Sequence, residues 1–448
     1  MIPESWRGRE AAVVGLARSG RAAALLLRRL GNPVYASDVA AGPVLEATAA
    51  ALRGAGCDVQ LGGHDLERIR RAALMVISPG VPPEAPPYRA AAEAGVPIVS
   101  ELDLGARLLP ATRLVCVTGS NGKTTTTALI AHLLKAAGLS DSDAAGNIGD
   151  PVCAVALREK PPAWLAVECS SFQLHDSPAL APAVGVVTNL SPNHLDRYAS
   201  IEAYYGDKAL LFRNATAESR WVVNGDDPAV LAMVRGVAGR AERFSLESRL
   251  AAGYHDRLAG WLVLRGTPLL RRTEFPLAGD HNVQNALAAA LALPPEFDRG
   301  AVVEGLRTFR ALEHRLEPVR EAGGVLWIND SKSTSVAATV VALRSMDRPF
   351  VLLLGGRHKG APYTDLRPLL AGARAVVAYG ESGPIVEQDL AGAAAMERGG
   401  DFADVIGRAR RLAQPGDAVL LSPACSSYDM FDNYEQRGRE FKRLVEAL

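Results

Sequence analysis

The segment Thr118-Gly119-Ser120-Asn121-Gly122-Lys123-Thr124-Thr125 lies between an apolar stretch, Leu114–Val117, and a stretch of helical spacing, Thr126–Ala137. A short apolar run that leaves through glycines into a helix reads as a buried strand of a parallel α/β layer. The glycines let backbone N–H groups approach phosphate, and the helix N-terminus favours an anion. Lys123 is then placed to reach β- and γ-phosphate oxygens, and Thr124 to hold Mg2+. The first glycine of the general pattern GxxxxGK[ST] would fall at Val117, so the loop that starts at Gly119 is a shortened variant. ATP or GTP binding follows from it.

The same alternation recurs along the 448 residues. Ala11–Val14, Leu74–Ile77, Leu165–Val167, Val184–Thr188, Val325–Ile328, Val351–Leu354 and Val419–Leu421 read as further strands between Ala/Leu/Arg-rich helical stretches. The fold class expected is α/β, in three blocks with bounds at 1–105, 106–311 and 312–448. Lys+Arg and Asp+Glu both number 49, so no polyanion-binding surface is indicated and nucleic acid is not an expected partner. No apolar run reaches membrane-span length and MIPESWRGRE lacks a signal-peptide core, which points to a soluble, intracellular chain. The five scattered cysteines suggest neither disulfides nor zinc.

Only seven of the 49 basic residues are lysines, at 123, 135, 160, 208, 332, 359 and 442. A lysine kept against that bias is a candidate for a compact or modifiable amine. Several lie beside polar strand ends, where open α/β sheets bind ligands. Leu165–Val167 leads into Glu168-Cys169-Ser170-Ser171, and Val184–Thr188 leads into Asn189-Leu190-Ser191-Pro192-Asn193-His194. Glu168 and His194 with Thr124 suit Mg2+. Gly146-Asn147-Ile148-Gly149 is a turn, and Lys208 sits on a predicted helix. Three later strand ends carry Asn329-Asp330-Ser331-Lys332-Ser333-Thr334, Gly355-Gly356-Arg357-His358-Lys359 and Ser422-Pro423-Ala424-Cys425-Ser426-Ser427, one rim suited to a small anion. In the first block, Gly15-Leu16-Ala17-Arg18-Ser19-Gly20 follows a strand and Asp38 ends the next. This is a dinucleotide-binding pattern with Ala17 in place of its central glycine, so a nucleotide-like ligand fits better than NAD. Ser78-Pro79-Gly80 would form the other side of that crevice.

Taken in order, TGSNGKTTT, GNIG, ECSSFQL, NHLDRY, NDSKSTS and LLSPACSSYDMFDNYEQRGREF resemble the Mur ligases of peptidoglycan synthesis, closest to their D-glutamate-adding branch. The resemblance implies an N-terminal Rossmann-like domain for the UDP-sugar, a central P-loop ATPase with a mainly parallel sheet, and a C-terminal Rossmann-like domain for the amino acid. It implies ATP and two Mg2+ ions as cofactors, UDP-MurNAc-L-Ala and D-glutamate as substrates, and an acyl-phosphate intermediate. Lys123, Lys208, His194 and Glu168 would be catalytic. Thr124, Glu168, His194 and Lys208, the last as a carbamate, would surround the metals. ATP would meet Gly119, Ser120, Asn121, Gly122, Lys123, Thr124, Thr125, Asn282, Arg315 and Asp330. The UDP-substrate would meet Gly15, Ser19, Asp38, Gly80, Asn147 and Ser170, and D-glutamate would meet Lys332, Thr334, Lys359, Ser427 and Tyr434. A cytoplasmic bacterial monomer, with no membrane partner, is expected. The alternatives are another ligase of the superfamily, such as a folylpolyglutamate synthase, a P-loop switch, or a nicotinamide-dependent oxidoreductase.

Overall fold

The computed structural model describes residues 2–192 and 197–448 and contains three sheets. The first is all parallel, in the order Asp58–Leu61, Val34–Asp38, Ala11–Val14, Leu74–Ile77, Ile98–Ser100. Ala11–Val14 and Leu74–Ile77 are buried at every position, as expected of strands covered on both faces. Chain order reverses between Val34–Asp38 and Leu74–Ile77 on either side of Ala11–Val14, which opens a crevice at the carboxyl ends of the strands.

The second sheet has nine strands. Arg113–Thr118, which enters the glycine loop, lies between Trp164–Glu168 and Val184–Val187, parallel to both. Asp143–Gly146 closes one edge, and Arg220–Asn224 and Arg240–Ser245 extend the other. Beyond them Gly253–Asp256, Trp261–Leu264 and Thr267–Arg271 run as an antiparallel meander. The meander is absent from the strand expectations because its segments run only four or five residues and none alternates apolar with polar positions. The helix after the glycine loop spans Lys123–Ala136, three residues earlier than expected. Gly122, left-handed at φ 80°, serves as its N-cap, and four threonines of modest helix propensity fill the first turn.

In the third sheet the order is Glu317–Ala322, Val325–Asn329, Ala418–Leu421, Phe350–Gly355, Ala373–Tyr379, Met396–Arg398, with only the first strand antiparallel. Its two faces are two cores of period 2: Leu352, Leu354, Val376 and Leu420 on one, Val351, Leu353, Val377 and Leu421 on the other. By contact density the chain divides into two compact units, Met1–Phe275 with Val283–Phe309, and Pro276–Asn282 with Arg310–Leu448. All five cysteines are buried free thiols. Among the described residues no helix is long and apolar enough to cross a membrane.

Candidate active site

The glycine loop is held in shape by the strand end beside it. Ser120 N donates to Asn189 O at 2.8 Å and Asn121 N to Asn189 Oδ1 at 2.9 Å. Thr188 Oγ1 donates to Asn121 O at 2.6 Å, and Ser120 Oγ to Ser191 O at 2.8 Å. Gly119 has φ 139°, and a Cβ there would stand 2.0 Å from Thr188 Oγ1, so the close approach requires glycine. Lys123 Nζ donates to the carbonyls of Gly119 and Ser120, both at 2.9 Å. Thr124 is buried in the first helical turn, and Thr125 beside it is partly buried.

Glu168 ends the neighbouring strand, buried with 2 % of its surface exposed. Its Oε1 accepts from Asn147 Nδ2 at 2.8 Å, and its Oε2, also buried, has no hydrogen-bond partner among the described residues. A carboxylate oxygen left this way is costly unless a cation or donor meets it. Lys208, near the end of the helix Ile201–Ala209, is 1 % exposed. Its Nζ donates to Gly119 O at 2.8 Å and lies 4.5 Å from the centre of the Tyr204 ring. Burial first, and repulsion from Lys123 second, hold the amine well below the ordinary lysine range, with Glu168 opposing the shift. Lys123, Thr124, Glu168, Asn147 and Lys208 are therefore brought to one strand-end cluster. His194 lies outside the described residues. Among the described residues no three His, Cys, Asp or Glu side chains form a group that could hold a metal ion.

Ser170 caps its own helix, accepting from Gln173 N at 3.2 Å. At the first sheet's crevice, Asp38 Oδ2 accepts from Leu16 N at 2.7 Å, which ties the acid to the Gly15–Ser19 loop. Ser78 Oγ donates to Gly15 O at 2.8 Å across the crevice. Arg18, one residue before Ser19, donates to Gly149 O and so connects this loop to the turn that carries Asn147. Gly80 lines a cavity of about 550 Å³ with Pro82, Glu84, Arg197, Tyr198 and Ala199. Arg197 fixes that wall, donating to Pro79 O at 2.8 Å and Val81 O at 3.0 Å while stacking 3.8 Å from the centre of the Phe172 ring.

In the second unit, Lys332, Thr334, Lys359 and Ser427 follow three adjacent strands, Val325–Asn329, Phe350–Gly355 and Ala418–Leu421. Lys359 Nζ donates to Thr334 Oγ1 at 3.4 Å, and Lys332 Nζ stands 5.4 Å from the Tyr434 ring centre. Ser427 is buried at the rim. Asn282 Nδ2 donates to Ala278 O at 2.7 Å. Asp330 is turned inward: Oδ1 accepts from Leu316 N at 3.2 Å, Oδ2 from Ser422 Oγ at 2.8 Å, and burial pushes its pKa up to about 6. Arg315 follows His314, a non-glycine residue at φ 65° whose carbonyl accepts from Lys332 N at 3.1 Å.

Sequence reasoning missed Thr188 and Asn189, the clasp of the glycine loop, although both stand at a strand end. It also missed Arg437, fully buried in the helix Tyr434–Glu446. The signal for it was present, because Arg437 shares helical period with the buried Phe441 and Val445.

Three α/β sheets, a glycine loop clasped against a buried carboxylate and amine, and a lysine-bearing rim define an enzyme of the nucleotide-dependent ligase class. Family models match in the same order: Mur ligase MurD-like, N-terminal domain, at residues 9–100; Mur ligase middle domain at 117–293; and Mur ligase, glutamate ligase domain, at 314–425. The chain belongs to the Mur ligase family. It is 42 % identical to a UDP-N-acetylmuramoylalanine–D-glutamate ligase of Salinibacter ruber, over all of both chains. It is 40 % identical to the protein of that name from Acidobacterium capsulatum, over 98 % of this chain and 97 % of the relative. Among solved structures, a MurF from Acinetobacter baumannii shares the fold at TM-score 0.62 and 17 % identity, covering 97 % of this chain and 93 % of that one. A UDP-N-acetylmuramate-alanine ligase, MurC, from Thermotoga maritima does so at TM-score 0.61 and 19 % identity, covering 98 % and 99 %.

Proposed function

We propose that this Mur ligase joins D-glutamate to UDP-N-acetylmuramoyl-L-alanine at the expense of ATP, as a step of peptidoglycan precursor synthesis. The observation that carries the reading is the meeting of Lys123, Glu168 and Lys208 at the glycine loop of a chain that aligns end to end with ligases of that name. The γ-phosphoryl group of ATP passes to the alanyl carboxylate, the amine of D-glutamate attacks the acyl phosphate, and phosphate leaves. Transfer between two anions needs positive charge fixed at the transferred group, which Lys123 supplies. The amide N–H groups of Gly122 to Thr125, which Asn189 does not occupy, and the N-terminus of their helix hold the remaining phosphate oxygens.

Two Mg2+ ions suit the site, since the orphaned Glu168 oxygen fits a hard cation. Thr124, Glu168, His194 and Lys208 as a carbamate would hold them, and when bound they supply further charge neutralisation. Lys208 is suited to carbamylation because its depressed pKa leaves a neutral amine to react with CO2. Residues 1–105 form the UDP-sugar domain, with Gly15, Ser19, Asp38 and Gly80 on the nucleotide, and Asn147 and Ser170 on the muramyl end. Residues 106–311 form the ATP domain. Residues 312–448 carry D-glutamate on Lys332, Thr334, Lys359, Ser427 and Tyr434, while Arg315 and Asp330, with Asn282, complete the ATP contacts. The enzyme acts as a cytoplasmic monomer in bacteria.

Phosphate release tests the reading. Purified protein with ATP and Mg2+ should release phosphate only when both UDP-MurNAc-L-Ala and D-glutamate are present. Equal turnover with L-lysine, or with a folate acceptor, would overturn it.

A further inference from the structure

Arg437 is a fully buried guanidinium that the reaction above does not use. Its Nε donates to Ser331 Oγ at 2.9 Å, and its Nη2 donates to Ser331 O at 2.8 Å and Cys425 O at 3.2 Å. All three acceptors are uncharged. Among the described residues Nη1, also buried, meets no acceptor at hydrogen-bond geometry; it stands 3.3 Å from the point a Cβ on Gly356 would occupy, with Tyr379 and Asp429 close by. Gly356 is pressed against the same place, because that Cβ would come 2.2 Å from Ser426 O. Ser331 Oγ, in turn, donates to the carbonyl of Tyr434, one helical turn before Arg437.

The segments so joined are those that carry the amino-acid rim. Ser331 precedes Lys332 and Thr334, Cys425 lies two residues before Ser427, and Gly356 lies three before Lys359. Burying a guanidinium is expensive, so an arginine that only filled space would be a poor choice. A planar fork that reaches two chain segments at once is a task lysine cannot perform. We infer that Arg437 is the positioning residue of the amino-acid pocket. It sets the spacing of Lys332, Ser427 and Lys359 from beneath. The inference rests on the D-glutamate reading of that rim.

The test is steady-state phosphate release by the full-length enzyme, with each substrate varied in turn, for Arg437→Lys and Ser331→Ala. Arg437→Lys keeps the charge and loses the fork; Ser331→Ala keeps the guanidinium and removes one acceptor. The KM for D-glutamate should rise by about tenfold or more in the first, and by about threefold in the second. The KM values for ATP and UDP-MurNAc-L-Ala should stay within about twofold of the parent, since a general loss of structure would move all three. Thermal melting reports whether each variant folds, and Ser331→Ala decides the matter if Arg437→Lys does not. A folded variant set that keeps the parent's KM for D-glutamate, or raises the three KM values in parallel, overturns the inference alone. A parent enzyme without D-glutamate-dependent phosphate release overturns the functional reading, and this inference with it.

Discussion

Lys208 Nζ donates to the carbonyl of Gly119 at 2.8 Å, joining a helix amine to the glycine loop 89 residues earlier in the chain. An ordinary lysine so deeply enclosed is a liability, since burial and the nearby Lys123 both disfavour its charge. Its place becomes reasonable when the neutral amine is what the site needs.

Replacement of Lys208 by Ala is expected to lower phosphate release at least about 10²-fold, the scale for loss of a preorganised charge-stabilising group. High bicarbonate or short carboxylates should restore part of it by supplying an anion to the space. Lys208→Arg should stay inactive, because a guanidinium forms no carbamate; full activity in that variant ends the carbamate proposal.

Glu168→Gln keeps the oxygen that accepts from Asn147 and removes the charge of the unpartnered one. The expected result is a steep rise in the Mg2+ concentration needed for half-maximal turnover, with kcat down by about 10²-fold. Asn147→Ala leaves the charge but frees the carboxylate to rotate, so the same titration should shift by only several-fold. A Mg2+ dependence unchanged in Glu168→Gln would remove Glu168 from the metal site.

The buried carboxyl of Asp330 has a folded pKa raised to about 6, above its unfolded value near 3.9. The folded state therefore holds more protons between those values, and the group's contribution to stability is fully present below about pH 4 and is lost as pH rises through about 6. Over that window the parent should lose up to about 3 kcal/mol relative to Asp330→Asn, in which the position cannot ionise. Urea unfolding of both proteins at pH 4.5 and pH 7 measures the difference, and a constant gap would show that Asp330 is ionised throughout.

Gly119→Ala places a Cβ against Thr188 Oγ1 and at a φ of 139°. Gly138→Ala, at the end of the same helix, has φ 94° but open space around it. The first should destabilise by about 1–3 kcal/mol and weaken ATP binding, and the second should bring the backbone strain without loss of nucleotide affinity. Melting curves with and without ATP separate the two costs.

The strand ends were legible in the sequence because apolar runs buried on both faces leave little freedom in what they form. Asp38, Glu168, Lys332 and Lys359 were found by following such runs to where they stop. The meander at 253–271 was not legible, since its segments run only four or five residues and none of GYHD, WLVL and TPLLR alternates apolar with polar positions. Thr188 and Asn189 were passed over because their partners are loop N–H and carbonyl groups, which carry no residue identity. Arg437 was hidden among the charged neighbours of YEQRGREFKRL, where only its spacing from Phe441 sets it apart.

The lysine economy of the chain has a spectroscopic consequence. Forty-two of the 49 basic side chains are arginines, which are inert to CO2, and Lys208 is the lysine most fully removed from water. In the protein equilibrated with isotopically labelled bicarbonate, a carbamate resonance should therefore stand out from few competitors. Its disappearance on acidification would follow one amine's protonation without interference from a crowded background.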